Sequence, residues 1–390
     1  MKILQVAPCL HPSWGGSAAV VRDISKQLVK RGHDVTIYTS DGTAKGRVQN
    51  MEGVKVYFLP TLNSRNAIPS KFFITPQLNE LMKREIQCFD LIHLHEFRSY
   101  QNLVVHHYAT KFNVPYVILA HNSLTRVPTK RRLKWAFDVF FGYRILKDVS
   151  RGIALSRKEV KQYNNLGVPK SKILCMPNGI DLSKYFLLPP RGSFKRKFNL
   201  DEKTQVILCL GRIHKEKGLE FLIKAYAALI KDPKYSRTLL VISGRDDGFT
   251  QVVMSLVYSL GLTKKVILTG FLSEEDKIKA YVDSEVVVNV EPENIFGLVP
   301  LEAAACSTPV IVSRTNDISE AVLAGNLGCV VEYNNIYELT RAMIKLLDQP
   351  SSFTLIQRQK SRSYIFNKFD WNIVMPQLEK IYEIALTSNN

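Results

Sequence analysis

"ENIFGLVPLEAAACSTPVIV", residues 293–312, is small and apolar almost throughout, yet Glu302 interrupts it and Phe296-Gly297 stand just upstream. The run before it, "EVVVNV" at 285–290, is dense in β-branched residues and reads as a buried strand. A loop follows, and "LVPLEAAAC" reads as a helix opening directly at the strand's end. The first turn of a helix leaves backbone N–H groups without partners. Here they belong to the residues around Phe296, Gly297, Leu298 and Val299, at the carboxyl edge of a sheet, and a helix start so placed binds phosphate. Glu302 falls on the first turns of that helix. Two roles fit a carboxylate there: accepting hydrogen bonds from two vicinal hydroxyls, as a ribose presents them, or stabilising the helix dipole.

Working outward, the second half alternates strand and helix. It begins at "QVILCLGRIH" and runs through helix "GLEFLIKAYAALIK", strand "TLLVISG", helix "TQVVMSLVYSLG", strand "KVILTGF", helix "SEEDKIKAYVDS", the opening stretch and "CVVEY". The first half alternates too. "KILQVA" is a strand, "GGSAAVVRDISKQLVKRG" is a helix with Ala19, Ile24 and Leu28 on its apolar face and Gly32 closing it, and "DVTIYTS" is a strand. "DLIHLH", "NLVVHHYATKFN", "PYVILAH", a basic and aromatic helix from about Lys130 to Lys147, "RGIALS" and "KILCMPNGID" follow. The expected fold is α/β, two doubly wound Rossmann-like domains facing a cleft, with ligands at the carboxyl edges of the strands. The first domain covers 1–185. Two prolines, a glycine and a cluster of basic residues mark 186–200 as a linker, and the second domain covers 201–369.

A chain of 390 residues exceeds what one hydrophobic core supports, which agrees with two domains. No apolar run approaches the roughly 18 residues that span a bilayer, and "MKILQVAPCL" starts a strand rather than a signal peptide, so the expected location is cytoplasmic. The cysteines are far apart, with no C-x-x-C pair, and are expected to be buried thiols in a reducing compartment. Residues 1–200 carry 32 Lys and Arg against 12 Asp and Glu, a net +20, whereas 201–390 carry 21 against 23, a net −2. The excess on one half points to an anionic partner there: phosphate, nucleic acid or an acidic membrane surface.

"GRIHKEKG", 211–218, follows one strand and precedes a helix, so Arg212 and Lys217 emerge at the carboxyl edge. A bidentate Arg and a point-charge Lys suit a diphosphate, and the alternative is a solvated basic turn. Asp246-Asp247 lacks the spaced D-x-D pattern of a metal-held diphosphate and reads as a loop, so neither a metal nor a cofactor is expected. His93 and His95 lie along one strand, and only one of them is expected to face the cleft.

The combination of "GRIHKEKG", "FGLVPLEAAACSTPVIVS" and "MPNGID" resembles the retaining glycosyltransferases of family 4, which have the two-domain GT-B fold. The likeness takes in nearly the whole chain. "FDWNIVMPQLEKIYEIAL" resembles the helix, here 370–390, by which that fold returns to its N-terminal domain. The resemblance implies that the second domain holds a nucleotide sugar and the first an acceptor. It implies that Arg212 and Lys217 neutralise the donor diphosphate, that Glu302 grips the ribose, and that Gly270, Phe271 and Leu272 of "TGFL" offer backbone to the base. Gly15-Gly16 match the family's glycine loop, and His121 of "YVILAHNS" its active-site histidine beside the transferred sugar. The chain also departs from the pattern. The family's first acidic position falls on Asn294, with Glu293 one place earlier; Ser307 stands where glycine is common, and Asn316-Asp317 where Gly-Gly is usual.

The implied reaction moves a hexose or N-acetylhexosamine from a nucleotide diphosphate sugar to a glycan or lipid-linked saccharide, in synthesis of cell-envelope polysaccharide or glycolipid. Three rivals fit less well. A dinucleotide oxidoreductase would need G-x-G-x-x-G, which "CLHPSWGG" lacks. A nucleotide-sugar epimerase shares the fold but releases a free sugar, and a nucleic-acid binder would show a helix-turn-helix or an aromatic platform. The segment 125–147 sets Lys130, Arg131, Arg132 and Lys134 beside Trp135, Phe137, Phe140 and Phe141. That composition suits a helix lying in an anionic leaflet, and the alternative packs Leu133, Phe137, Phe140 and Phe141 on the sheet. The expected protein is therefore peripheral on the cytoplasmic face, without a nucleic-acid partner.

Overall fold

A computed structural model of the chain describes residues 1–11, 16–40, 42–43, 45–62, 72–125, 131–291, 296–348 and 355–387, with backbone only at 131 and 355–358. The expected site residues Gly15, Lys130, Glu293 and Asn294 lie outside the described residues. The chain forms two compact units, Met1–Gly179 with Trp371–Asn390, and Ile180–Asp370.

The first unit is built on eight strands: β1 (Lys2–Val6), β2 (Asp34–Thr39), β3 (Arg47–Met51), β4 (Val54–Phe58), β5 (Leu91–His95), β6 (Tyr116–Leu119), β7 (Arg151–Ala154) and β8 (Ile173–Cys175). They lie in the order β3-β4-β2-β1-β5-β6-β7-β8, all parallel except the β3–β4 hairpin. That hairpin turns at Glu52-Gly53, both with positive φ, the backbone that a tight two-residue turn requires. β1, β5 and β6 are buried along most of their length and carry apolar runs because helices cover both faces. The helix Trp371–Thr387 completes this core, burying Trp371, Met375, Leu378 and Tyr382 at helical spacing. Gly179 of "MPNGID" is fixed by the same packing: a Cβ there would stand 2.4 Å from the Trp371 ring.

The second unit has six parallel strands: β9 (Gln205–Leu210), β10 (Thr238–Ser243), β11 (Val266–Gly270), β12 (Val286–Asn289), β13 (Val310–Ser313) and β14 (Gly328–Val331), in the order β11-β10-β9-β12-β13-β14. Strand order reverses between β9 and β12 here and between β1 and β5 in the first unit, and such switch points open crevices at the carboxyl ends of the strands. Residues 186–200, expected as a linker, carry the helix Ser193–Lys197 within the second unit. The Asp283 carboxylate accepts from the backbone N–H groups of Gly192, Phe194 and Lys195, and Phe194 is buried.

Among the described residues no helix is long and apolar enough to cross a membrane. None of the six cysteines forms a disulfide, but Cys88 and Cys175 are exposed, contrary to the expectation of burial. Each is the last residue of a three-residue element, Ile86–Cys88 and Ile173–Cys175.

Candidate active site

In the second unit, β9 runs into the turn Gly211–Gly218, whose Ile213 is stitched to the loop after β10 by hydrogen bonds with Arg245 and Asp247. Gly218 has φ +65, and a Cβ there would lie 1.8 Å from the Val290 carbonyl oxygen. Only glycine allows that approach, which lays the turn against the end of β12. Lys217 is thereby set beside Glu291, with Nζ 2.5 Å from Oε1. Arg212 pairs with Asp247. The two cations expected at the carboxyl edge are there, each held by a carboxylate.

Glu291 is 3% exposed and lies within an ordered set of donors. Asn289 Nδ2 donates to Glu291 Oε1 at 3.3 Å, and Asn316 Nδ2 donates to Asn289 Oδ1 at 2.8 Å. The hydroxyls of Ser313 and Thr315 donate to the Glu291 carbonyl. Asn316, placed where the family has glycine, is thus a buried strut in this chain. Glu291 went unread in the sequence, although a carboxylate two residues past β12 is the signal that finds it.

Beyond the loop, Gly297 caps the helix Leu298–Ala305 and, being glycine, offers its first turn no side-chain hydrogen bond. The Phe296 ring is buried and packs at 6.2 Å from that of Phe369. Glu302 lies in the second turn, too far along to act on the helix dipole, which removes that reading. Its carboxylate instead accepts from the Tyr281 hydroxyl at 2.6 Å and from Lys277 Nζ at 3.3 Å. Burial pulls the Lys277 ammonium down, but the Glu302 and Glu274 carboxylates outweigh it and hold the pKa above the ordinary lysine value. Directly after the helix's C-cap, Cys306, Ser307 has φ +64, a left-handed position that explains why glycine is common there.

At the end of β11, Gly270 has φ +73 and its carbonyl accepts from the Gly244 N–H. Phe271 is exposed and Leu272 buried, so of the expected trio only Phe271 presents a side chain to solvent.

In the first unit, Gly16 opens the helix Gly16–Lys30, and none of the described residues lies within 4 Å of a Cβ built on it. His121 follows β6 with φ +48 and Asn122 with φ +65, two consecutive left-handed residues of a kind that collects at functional sites. His121 Nε2 stands 3.0 Å from His95 Nδ1. The expectation that only one of His93 and His95 faces the cleft is corrected here. Residues two apart on a strand share a face, and the two rings stack at 4.2 Å with both side chains fully buried. Burial lowers His93 to about 3 and His95 well below the ordinary range, so both rings are neutral.

The segment Arg131–Lys147 is helical with a π turn over Asp138–Gly142. Arg98 clamps Asp138 through Nε at 2.7 Å and Nη2 at 2.9 Å, a buried bidentate pair. Phe137 alone of the four expected core residues packs inward; Leu133 is 70% exposed and Phe140 66%. Trp135 and Phe141 are also exposed, as is Arg132, whereas Lys134 is half-buried and donates to the Thr125 carbonyl.

Two Rossmann-type sheets, one presenting paired cations and an uncapped helix start at its switch point, define the GT-B class of transferases. The family described as glycosyl transferases group 1 matches residues 190–365, and glycosyltransferase family 4 matches 14–184. This chain belongs to the family 4 glycosyltransferases. It is 24% identical to a D-inositol 3-phosphate glycosyltransferase of Kineococcus radiotolerans, over 95% of this chain and 91% of that one. The sucrose-phosphate synthase of Thermosynechococcus elongatus superposes with a TM-score of 0.82 at 20% identity, covering both chains in full. Anabaena HepE, solved in complex with UDP-glucose, superposes at 0.76 with 18% identity, also covering both in full.

Proposed function

We propose that this chain is a retaining, metal-independent transferase that moves a hexose or N-acetylhexosamine from a nucleotide diphosphate sugar to a glycan or lipid-linked saccharide, in cell-envelope polysaccharide or glycolipid synthesis. The observation that carries this reading is the meeting of Arg212, Lys217 and an uncapped helix start at one switch point, a set of positive groups suited to a diphosphate. The bond from the anomeric carbon to the diphosphate breaks with its electron pair staying on the diphosphate oxygen, where these groups meet the developing charge. The acceptor hydroxyl adds to the anomeric carbon on the face the diphosphate leaves, and its proton passes to the departing diphosphate. Configuration is retained. Asp247 is 44% exposed and can yield Arg212 to the donor, whereas buried Glu291 stays and steers Lys217.

Glu302 serves the nucleotide ribose in this reading, held in place by Tyr281 and Lys277. His121 lies beside the transferred sugar. UDP-glucose is the first donor to try, because Anabaena HepE was solved with it. The outward aromatics of 131–147, beside exposed Arg132, support attachment to an anionic leaflet from the cytoplasmic side, with a lipid-linked acceptor.

A panel of UDP-, GDP- and ADP-sugars tests the donor assignment: the correct one raises the melting temperature by mass action and is consumed when acceptor is added. If neither a nucleotide sugar nor a nucleoside diphosphate shifts the transition, the donor site is wrongly assigned. Release of a free sugar epimer without acceptor would make the protein an epimerase.

A further inference from the structure

One line of polar groups inside the first unit has no part in the chemistry so far. Tyr382, on the C-terminal helix, is fully buried, and its hydroxyl is 2.6 Å from His93 Nδ1 and 3.3 Å from Gln5 Nε2. Gln5, in the middle of β1, is also fully buried, and its Oε1 is 2.6 Å from His95 Nε2. His95 Nδ1 then meets His121 Nε2 at 3.0 Å, and the two rings stack with an interplanar angle of 21°. Hydrogen bonds therefore run unbroken from the last helix of the chain to the loop after β6.

Donor and acceptor rules give that line a direction. A neutral imidazole carries one N–H, and an amide oxygen only accepts. With Gln5 Oε1 turned to His95, the His95 proton must sit on Nε2, which leaves Nδ1 as an acceptor. His121 must then donate from Nε2, and its Nδ1 keeps a lone pair. At the other end Gln5 Nε2 donates to the Tyr382 oxygen, and the Tyr382 hydroxyl donates to His93 Nδ1. His93 Nε2, buried without a partner among the described residues, ends the line. Reversing the one amide would reverse every bond and move the His121 proton to Nδ1.

We infer that Tyr382, Gln5 and His95 are positioning residues for His121, holding its imidazole in one orientation and in the tautomer protonated on Nε2, so that Nδ1 accepts a hydrogen bond from a hydroxyl of the transferred sugar. The role in transfer rests on the proposed placement of His121 beside that sugar, whereas the tautomer does not. A supporting shell of this kind sets the geometry and basicity of the group it holds.

The experiment is nitrogen NMR of protein labelled at histidine, with His121 assigned by loss of its signals in His121→Gln. Wild type is expected to show His121 with its proton on Nε2. Tyr382→Phe, which removes a single oxygen from a buried ring, and Gln5→Leu are each expected to shift His121 toward a mixture of tautomers. Both should lower kcat for sugar transfer about 10-fold, with the donor KM changed less than about 2-fold. A His121 proton on Nδ1 in wild type, or an unchanged tautomer in Tyr382→Phe with its fold intact by amide spectrum, overturns the inference. If the tautomer shifts as expected but His121→Ala transfers sugar at the wild-type rate, the placement of His121 fails and the positioning role fails with it.

Discussion

Lys217 offers the sharpest separation of catalysis from stability. Truncating it to alanine removes one of two cations facing the diphosphate and also strands the Glu291 carboxylate, 3% exposed, with Asn289 as its remaining side-chain donor among the described residues. The first loss acts on the transition state and lowers kcat on the order of 10²-fold or more. The second acts on the fold. Breaking a buried pair from one side costs about 3–5 kcal/mol, and because Lys217 is 18% exposed, about 3 kcal/mol is the expected figure here. Lys217→Met with Glu291→Gln separates the two. The amide keeps an oxygen for Asn289 and carries no charge, so most of the stability should return while turnover stays low. Denaturant unfolding reads the first effect and nucleotide release from the donor sugar reads the second. Wild-type turnover in the double variant would remove Lys217 from the donor site. An undiminished unfolding midpoint in Lys217→Ala would refute the buried pairing.

Ser307→Gly should stabilise the second unit by about 1 kcal/mol, read from the unfolding midpoint, because φ +64 strains an L-residue. His93 and His95 are neutral when folded but titrate near 6.5 when unfolded, so the unfolded chain binds more protons as pH falls below that value. Stability is therefore complete above about pH 6.5 and declines below it by about 1.4 kcal/mol per pH unit for each ring, measured by denaturation at pH 7, 6 and 5. In vesicle sedimentation, binding should rise with anionic lipid, fall with salt, and weaken when Lys130, Arg131, Arg132 and Lys134 become Gln together, at about 1 kcal/mol per charge. Equal binding to neutral vesicles would count against the electrostatic part, and no binding to anionic ones would leave the acceptor a soluble glycan.

What the sequence made legible was whatever depends on local order. Arg212, Lys217 and the helix start at Gly297 follow directly from strand, turn and helix in succession, and Ser307 was visible as an odd residue at a glycine position. The β3–β4 hairpin went unread although Glu52-Gly53 marks its turn, because its outer strand is exposed and lacks an apolar run. The network around Glu291 was invisible for another reason. Its donors come from Lys217, Asn289 and the β13 loop, far apart in the chain and joined only by the sheet. The pair at Glu302 is similar: Lys277 and Tyr281 share a helix face at i,i+4 but match no motif. His93 and His95 show that a polar residue inside a strand can be fully buried when partners wait across the core.

The helix Trp371–Thr387 carries a consequence for how the protein comes into being. Its buried face completes the sheet that contains β1, and Gln5 of that strand waits for a hydroxyl that leaves the ribosome 377 residues later. The second unit lies wholly between them in the chain and needs nothing from either end to close its own sheet. During translation the half that is made first is therefore the half that is finished last, and its half-built core must be kept from aggregating while the other domain folds. A chain that stops at residue 370 holds a complete second domain tethered to an unfinished first one.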